Sequence, residues 1–486
     1  MKQLKDILYK VAIEFVSGTT FMDIDHLTFD SRDVTGSAVF IAIKGTQVDG
    51  HDYISKAIEG GARAILCEVV PAELVAGVTY IQVQDTQLAV AQLADNFYDH
   101  PSSKLKLVGV TGTNGKTTVA SLLYQLFTNL GYEVGLLSTV KVTVGKTDYA
   151  ASHTTPDSIA INRWLNLMVE QGCAYCFMEV SSHGIVQKRT SALQFQGGIF
   201  TNLSHDHLDY HKTFAEYRDA KKIFFDQLPK TAFAITNIDD KNGAIMMQNT
   251  AAKVRTYALK SMADYRASIL ESQFSGMLMR VNQQELWVQL IGDFNAYNLL
   301  AVYATAKELG VSDQEALVEI SKLQSVSGRF QYIVVNQITA IVDYAHTPDA
   351  LQNVIKTINS IRSYNETLIA VVGCGGNRDK TKRPLMAQIA TAESNKVILT
   401  SDNPRFEDPY EILKEMEAGV ELQNQKKVVV IEDRRQAIKA ACQLAQTGDI
   451  ILIAGKGHET YQEIRGVRTD FNDLLIVKEF LEQLSK

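Results

Sequence analysis

The sequence predicts an α/β protein of three domains, and three observations carry that prediction. Short apolar runs of strand length alternate with amphipathic helical stretches along most of the chain. A glycine-rich turn, Gly112-Thr-Asn-Gly115, lies between one such run and one such helix. From about residue 327 onward the alternation is regular, as in a doubly wound sheet that gathers its ligands at the carboxyl ends of its strands. The expected division is a small N-terminal α/β domain over residues 1–101, a central domain over 102–326 and a C-terminal Rossmann-like domain over 327–486. The central domain should combine a P-loop-type parallel sheet with a small antiparallel one. A length of 486 residues exceeds what one core usually organises.

In the first segment, residues 39–43 and 64–67 read as strands, and 53–59 and 86–98 as helices. Proline and serines at 99–103 suit a linker. Residues 105–110 then form an apolar run that enters the glycine-rich turn, and Lys116 opens a helix. Val119, Leu122, Leu123, Leu126, Phe127 and Leu130 share one face of that helix, and Gly131 stops it. Residues 174–180, 198–201 and 232–236 read as buried parallel strands. Between 254 and 290 the pattern changes to short alternating runs, which suggest the antiparallel sheet. The last segment offers strands at 340–343, 368–372, 397–400, 428–431 and 450–454, with helices such as 348–361 and 434–445 between them. Gly373-Cys-Gly-Gly-Asn-Arg-Asp379 is not a dinucleotide fingerprint, because Arg378 stands where the final glycine should be.

A hydrophobic content of 46% with 21% charged residues describes a soluble globular chain. The net charge of −7 and the lack of basic blocks argue against nucleic-acid or anionic-membrane partners. No apolar run is long enough to span a bilayer, and the N-terminus has no signal-peptide core, so a cytoplasmic location without membrane insertion is expected. The five cysteines are scattered, as in a reducing compartment. Cys173 and Cys176 lack the second pair a zinc site would want, and read as buried small side chains.

Chemistry concentrates in the loops after strands. Backbone N–H groups from Gly112, Thr113, Asn114 and Gly115, together with the helix dipole, suit a nucleotide triphosphate. Lys116 adds a cation and the Thr117 hydroxyl a Mg²⁺ ligand, although Val110 replaces the usual leading glycine. Glu179 and His207 follow neighbouring strands and could hold Mg²⁺ at the same edge, while Glu179 reads equally well as a strand-end cap. His205, His207 and His211 hint at zinc, but no cysteine or third-ligand pattern supports it. Ser181, Ser182 and His183 are sequence neighbours and make no hydrolase triad. Lys221, taken alone, reads as a solvated helix lysine. Arg378 and Arg405 offer rigid forks for carboxylate or phosphate.

Together these motifs resemble the Mur ligase family, ATP-dependent enzymes that add amino acids to the cell-wall peptidoglycan precursor. The resemblance spans nearly the whole chain and rests on Thr111-Gly-Thr-Asn-Gly-Lys-Thr-Thr118, Glu179-Val-Ser-Ser-His183, 202–211, Gly292-Asp-Phe-Asn-Ala-Tyr-Asn298, Gly328-Arg-Phe330 and Asp343-Tyr-Ala-His346. Asp30-Ser-Arg32 and Asp402-Asn-Pro-Arg405 narrow it to members that extend the UDP-muramoyl dipeptide by its third residue, Arg405 being typical of those adding meso-diaminopimelate.

The resemblance implies roles residue by residue. Ser31, Thr46, Gln47 and Val48 would hold uridine diphosphate, and Thr154, Thr155, Ser181, Gln187 and Arg189 the muramoyl peptide. ATP would lie with its adenine near Asn295 and Asn298, its ribose near Arg329 and Asp343, and its phosphates on the 112–118 turn, Thr118 included. Lys116, His207 and Lys221 would be catalytic, Lys221 as a carbamate that joins Thr117, Glu179 and His207 around Mg²⁺. Diaminopimelate would meet Arg378, Asp402, Asn403, Arg405, Gly455 and Glu459. The substrates are small molecules, and a monomer is expected. One competing reading changes the added amino acid to L-lysine. A folate polyglutamate synthase is disfavoured by the domain preceding the nucleotide turn. A P-loop switch ATPase is disfavoured by the missing Asn-Lys-x-Asp stretch.

Overall fold

Buried parallel strands are apolar on both faces, and the apolar runs at 368–372 and 450–454 form inner strands of one sheet. The computed structural model describes residues 1–45, 48–204 and 210–484. Among them lie three main sheets, of five, eleven and six strands.

The five-stranded sheet is ordered Ile13–Ser17, Thr79–Val83, Ala64–Cys67, Ala38–Ile41, His26–Thr28. Its pairs are parallel except the first, which is antiparallel. The expected helix at 53–59 is a 3₁₀ turn, Gly50–Tyr53, leading into Ile54–Glu59. Helix Thr86–Phe97 starts at Asp85, whose carboxylate accepts from the Leu88 N–H. The stretch after it is a tight joint: Asp99 and His100 are left-handed, and the 3₁₀ turn Pro101–Ser103 buries Ser102.

At the centre of the eleven-stranded sheet Lys106–Thr111 pairs in parallel with Tyr175–Glu179 on one side and Gly197–Phe200 on the other. Phe233–Asn237 and Lys253–Ala258 continue the parallel run. The meander Tyr265–Gln273, Gly276–Val281, Gln284–Val288 supplies the expected antiparallel strands and extends the same sheet. A hairpin at the opposite edge, Lys141–Val144 with Thr147–Ala150, was not anticipated. Helices Lys116–Asn129 and Asp293–Glu308 cover one face, and Ser158–Glu170 and Phe214–Asp226 the other.

The six-stranded sheet runs Gln331–Val335, Ile338–Asp343, Ile450–Ala454, Leu368–Cys374, Lys396–Ser401, Val428–Val430, parallel apart from its first hairpin. Helices Pro348–Ile361, Lys382–Glu393 and Pro409–Glu417 pack on one face, Arg434–Leu444 and Asp473–Gln483 on the other, which is the doubly wound arrangement expected. A fully buried ion pair, Arg434 Nη2 to Asp473 Oδ2 at 2.7 Å, ties the last two helices, and Arg434 also donates to the Ala454 carbonyl at a strand end. All five cysteines are unbridged and buried. Among the described residues no helix is long and apolar enough to cross a membrane.

Candidate active site

The turn at 112–115 needs glycine at two points. Gly112 has φ +148°, and a Cβ there would fall 2.0 Å from Thr201 Oγ1. Gly115 has φ +86°, and a Cβ would meet Asn298 Oδ1 at 2.5 Å. The turn is sewn to the next loop by Thr113 N–H donating to the Asn202 carbonyl (2.8 Å) and Asn114 N–H to Asn202 Oδ1 (2.9 Å). Among the described residues no side chain caps the helix that begins after Gly115. Two ammonium groups converge on the Gly112 carbonyl, Lys116 Nζ and Lys221 Nζ, each at 2.9 Å. Lys221 is 1% exposed, with its ammonium over the Tyr217 ring, so it is no solvated helix lysine.

A cleft of about 730 Å³ opens over this turn between the central and C-terminal sheets. Thr113, Asn114, Gly115, Lys116, Thr117, Thr118, Glu179, Lys221, Asn298, Arg329 and Asp343 all line it, whereas Gly112 and Asn295 stand behind the lining. Among the described residues two hydrogen bonds cross the cleft: Asn114 Nδ2 donates to Asp349 Oδ2 at 2.9 Å, and Arg329 Nη2 to Thr117 Oγ1 at 3.1 Å. Glu179 is 1% exposed; its Oε1 accepts from Thr139 N–H at 2.7 Å, while its buried Oε2 has no hydrogen-bond partner among the described residues. A buried carboxylate oxygen left bare beside a phosphate turn fits a divalent cation. Asp343 is pushed up to about 6 by burial, against the pull of Arg329 and the Phe330 N–H, which donates to its Oδ2. Asn298 Nδ2 donates to Asn295 Oδ1, and Asn295 Nδ2 in turn to the Ile291 carbonyl, which locks both amides.

A second cavity, of about 540 Å³, lies between the N-terminal and central sheets and is lined by Ser31, Val48, Gln187 and Arg189. The residues expected to hold the muramoyl peptide are therefore divided, because Thr154 and Ser181 line the larger cleft. Thr155 is buried between the two cavities, its hydroxyl donating to the Glu179 carbonyl and its own carbonyl accepting from Arg189 Nη1 at 2.6 Å. Burial lowers the Arg189 pKa. Thr46, Gln47, His205 and His207 lie outside the described residues.

The third expected group does not line the larger cleft but forms a cluster beside it. Arg405, left-handed at φ +53°, donates from Nη1 to the Gly376 carbonyl at 2.8 Å. Arg378 is exposed on the neighbouring loop. Asn403 is 1% exposed, and its Nδ2 donates to Glu459 Oε2 at 2.7 Å. Gly455 sits against Asp402, where a Cβ would meet Oδ2 at 2.6 Å. Tyr344, which lines the cleft, joins the two sites by packing on His458, their ring centres 5.0 Å apart and their planes tilted by 45°. Burial, with Arg329, His346 and Lys456 nearby, lowers His458 to about 3 and keeps it a neutral contact.

Residues 23–98 match the model of the "Mur ligase family, catalytic domain", 110–306 that of the "Mur ligase middle domain" and 328–457 that of the "Mur ligase, glutamate ligase domain". A curated UDP-N-acetylmuramoyl-L-alanyl-D-glutamate–2,6-diaminopimelate ligase from Cytophaga hutchinsonii is 55% identical over 486 residues, 100% of both chains. The chain belongs to the Mur ligase family. A ligase of the same description from Bacteroides fragilis is 54% identical over 98% of this chain and 99% of that one. A solved structure of a UDP-N-acetylmuramoyl-L-alanyl-D-glutamate–2,6-diaminopimelate ligase superimposes with a TM-score of 0.70 at 34% identity, covering 99% of each chain. A MurF ligase from Thermotoga maritima in complex with ADP shares the fold, with a TM-score of 0.64 at 20% identity over 94% of this chain and 97% of that one.

Three residues of this Mur ligase escaped the sequence reading. Asp349 sits in the first turn of helix Pro348–Ile361, and its contact with Asn114 spans 235 residues of chain. Tyr344 lies within Asp343-Tyr-Ala-His346, where its residue type alone gives it no role. Lys456, between Gly455 and Gly457, is fully buried although lysine usually is not. A lysine flanked by two glycines after an apolar strand was the available signal.

Proposed function

We propose that this ATP-dependent ligase adds meso-2,6-diaminopimelate to UDP-N-acetylmuramoyl-L-alanyl-D-glutamate in peptidoglycan synthesis. The observation that carries the reading is the adjacency of two sites: a cleft built on a phosphate turn, and, across Tyr344 and His458, a cluster of Arg405, Asn403 and Glu459. The first suits ATP; the second suits an amino-acid head group with its own carboxylate and ammonium. The relatives described above bear the same activity in their names.

A carboxylate forms no amide with an amine in water until one of its oxygens becomes a good leaving group. On this reading the γ-phosphoryl of ATP moves to the D-glutamyl side-chain carboxylate, giving an acyl phosphate and ADP. The neutral amine of diaminopimelate attacks the acyl carbon, forming the C–N bond of a tetrahedral intermediate; phosphate then leaves with the C–O electron pair, and the nitrogen gives up its proton. Two anions must approach for the first step, so Lys116, at the head of its helix, offsets charge as it develops. Thr117, Glu179, His207 and a carbamate on Lys221 would hold Mg²⁺, in keeping with the bare Glu179 Oε2. When bound, the ion supplies positive charge to the phosphates. Residues 1–101 would hold the uridine diphosphate end, 102–326 ATP, and 327–486 the amino acid. Asn114–Asp349 and Arg329–Thr117 would keep water from the acyl phosphate by holding the last two together. The enzyme would act in the cytoplasm, as a monomer, on small molecules.

The test is to incubate the enzyme with ATP, Mg²⁺ and the UDP-linked dipeptide, vary the amino acid, and weigh the products. A product lengthened by diaminopimelate is expected. Lengthening by lysine instead would move the assignment to the sister activity, and no lengthened product with any amine would refute the reading.

A further inference from the structure

Lys456 is 0% exposed, and an ammonium is costly to bury unless its charge and donors are met. Its Nζ donates to Asn403 Oδ1 at 2.9 Å and to Glu459 Oε2 at 3.1 Å, and lies 5.4 Å from the Tyr461 ring centre. Asn403 Oδ1 also accepts from the Glu463 N–H at 2.9 Å. With both of those donors on its oxygen, the amide can turn only one way, and its Nδ2 faces Glu459. Both bonds to Glu459 fall on Oε2; among the described residues Oε1 makes none. Glu459 is thus an oriented carboxylate with one oxygen left for a ligand.

The charges around it are unbalanced. Among the described residues, Asp402, Lys456, Tyr344, Tyr461 and Arg434 are titratable groups whose electrostatics Glu459 shares. Arg434 is paired with Asp473, whereas Lys456 sits directly on Glu459, 3.1 Å from its Oε2, and offsets its charge. Burial and Asp402 raise the Glu459 pKa, and Lys456 opposes them.

We propose that Lys456 is a specificity-determining positioning residue: its buried ammonium sets the rotamer of Asn403 and holds Glu459 as an oriented anion, which selects an amino acid bearing a second ammonium group. The inference rests on the reading that this cluster receives the far end of the added diamino acid. Fully buried, Lys456 acts through Asn403 and Glu459.

The experiment compares the wild type with Lys456→Met and Lys456→Gln, measuring KM for diaminopimelate and for ATP between pH 6 and 8.5. Removing the cation lets Glu459 take up a proton at higher pH, so its binding-competent form is lost as pH falls. Lys456→Met should raise KM for diaminopimelate about 30-fold or more at pH 7, the scale of one charge-assisted contact, and leave KM for ATP within about twofold. That KM should climb further as pH drops, approaching about tenfold per pH unit where Glu459 titrates, while the wild-type value stays flatter. Lys456→Gln keeps hydrogen-bond donors without charge; it should show the same pH dependence and carries the test if the Met variant fails to fold. KM values for ATP and diaminopimelate that rise together, or a diaminopimelate KM in the variants as flat with pH as the wild type's, would overturn the proposal. A wild type that makes no diaminopimelate product would overturn the functional reading instead.

Discussion

Arg405→Ala gives the sharpest test of how the amino acid is chosen. The residue sits at φ +53°, its N–H donates to the Glu463 carbonyl at 3.0 Å, and Nη1 donates to the Gly376 carbonyl at 2.8 Å. Alanine meets the same left-handed penalty as arginine, so the backbone cost hardly changes between the two. What disappears is the guanidinium. The Gly376 bond turns it and leaves its other N–H groups for a carboxylate. One to two charge-assisted bonds at roughly 1.5–3 kcal/mol each, less what water recovers, suggest a loss of about 2–4 kcal/mol. At about 1.4 kcal/mol per tenfold, KM for diaminopimelate should rise about 30- to 1000-fold. Initial-rate measurements with ATP and the dipeptide saturating report that KM, and a parallel ATP titration serves as the control. A change of under threefold for diaminopimelate, or equal changes for both substrates, would refute the assignment.

Two further outcomes follow from the larger cleft. Lys116→Ala should abolish ADP formation in a coupled assay, since the approach of phosphate to carboxylate loses its cation; undiminished turnover would remove the lysine from the phosphate site. Asp343→Asn tests the cost of burying a charge. The folded pKa is raised from 3.8 to about 6, so the folded state carries a penalty that sets in as pH rises above 3.8 and is complete above about 6. The variant should be more stable than the wild type at pH 7.5 by at most about 3 kcal/mol, with the difference vanishing toward pH 3.8, as read by denaturant unfolding. A stability gap that does not depend on pH would contradict the assignment of that cost to ionisation.

Much of the architecture is written locally. Strand Ile450–Ala454 and helix Pro348–Ile361 end where the pattern puts them, because a fully buried parallel strand must be an unbroken apolar run and Thr347 with Pro348 marks a helix start. The glycine-rich turn is equally legible, since Gly112 and Gly115 are demanded by contacts any residue with a Cβ would violate. The hairpin at 141–150 escaped because its outer strand, Thr147–Ala150, is exposed throughout and carries no apolar pattern. Lys221 shows the limit in the other direction. Between Ala220 and Lys222 it looks solvated, and only the packing of Phe214–Asp226 against the phosphate turn buries it.

The sequence by itself determined most of the buried strands, where the glycine-rich turn lies, and which loops carry charged side chains at sheet ends, because burial and backbone geometry are recorded residue by residue. The tertiary structure alone decided that Asn114 meets Asp349, that the residues read as one peptide site divide between two cavities, and that Lys456 lies buried between Asn403 and Glu459. Those facts depend on how separate sheets face one another, and no local pattern encodes the distance between loops that distant segments bring together.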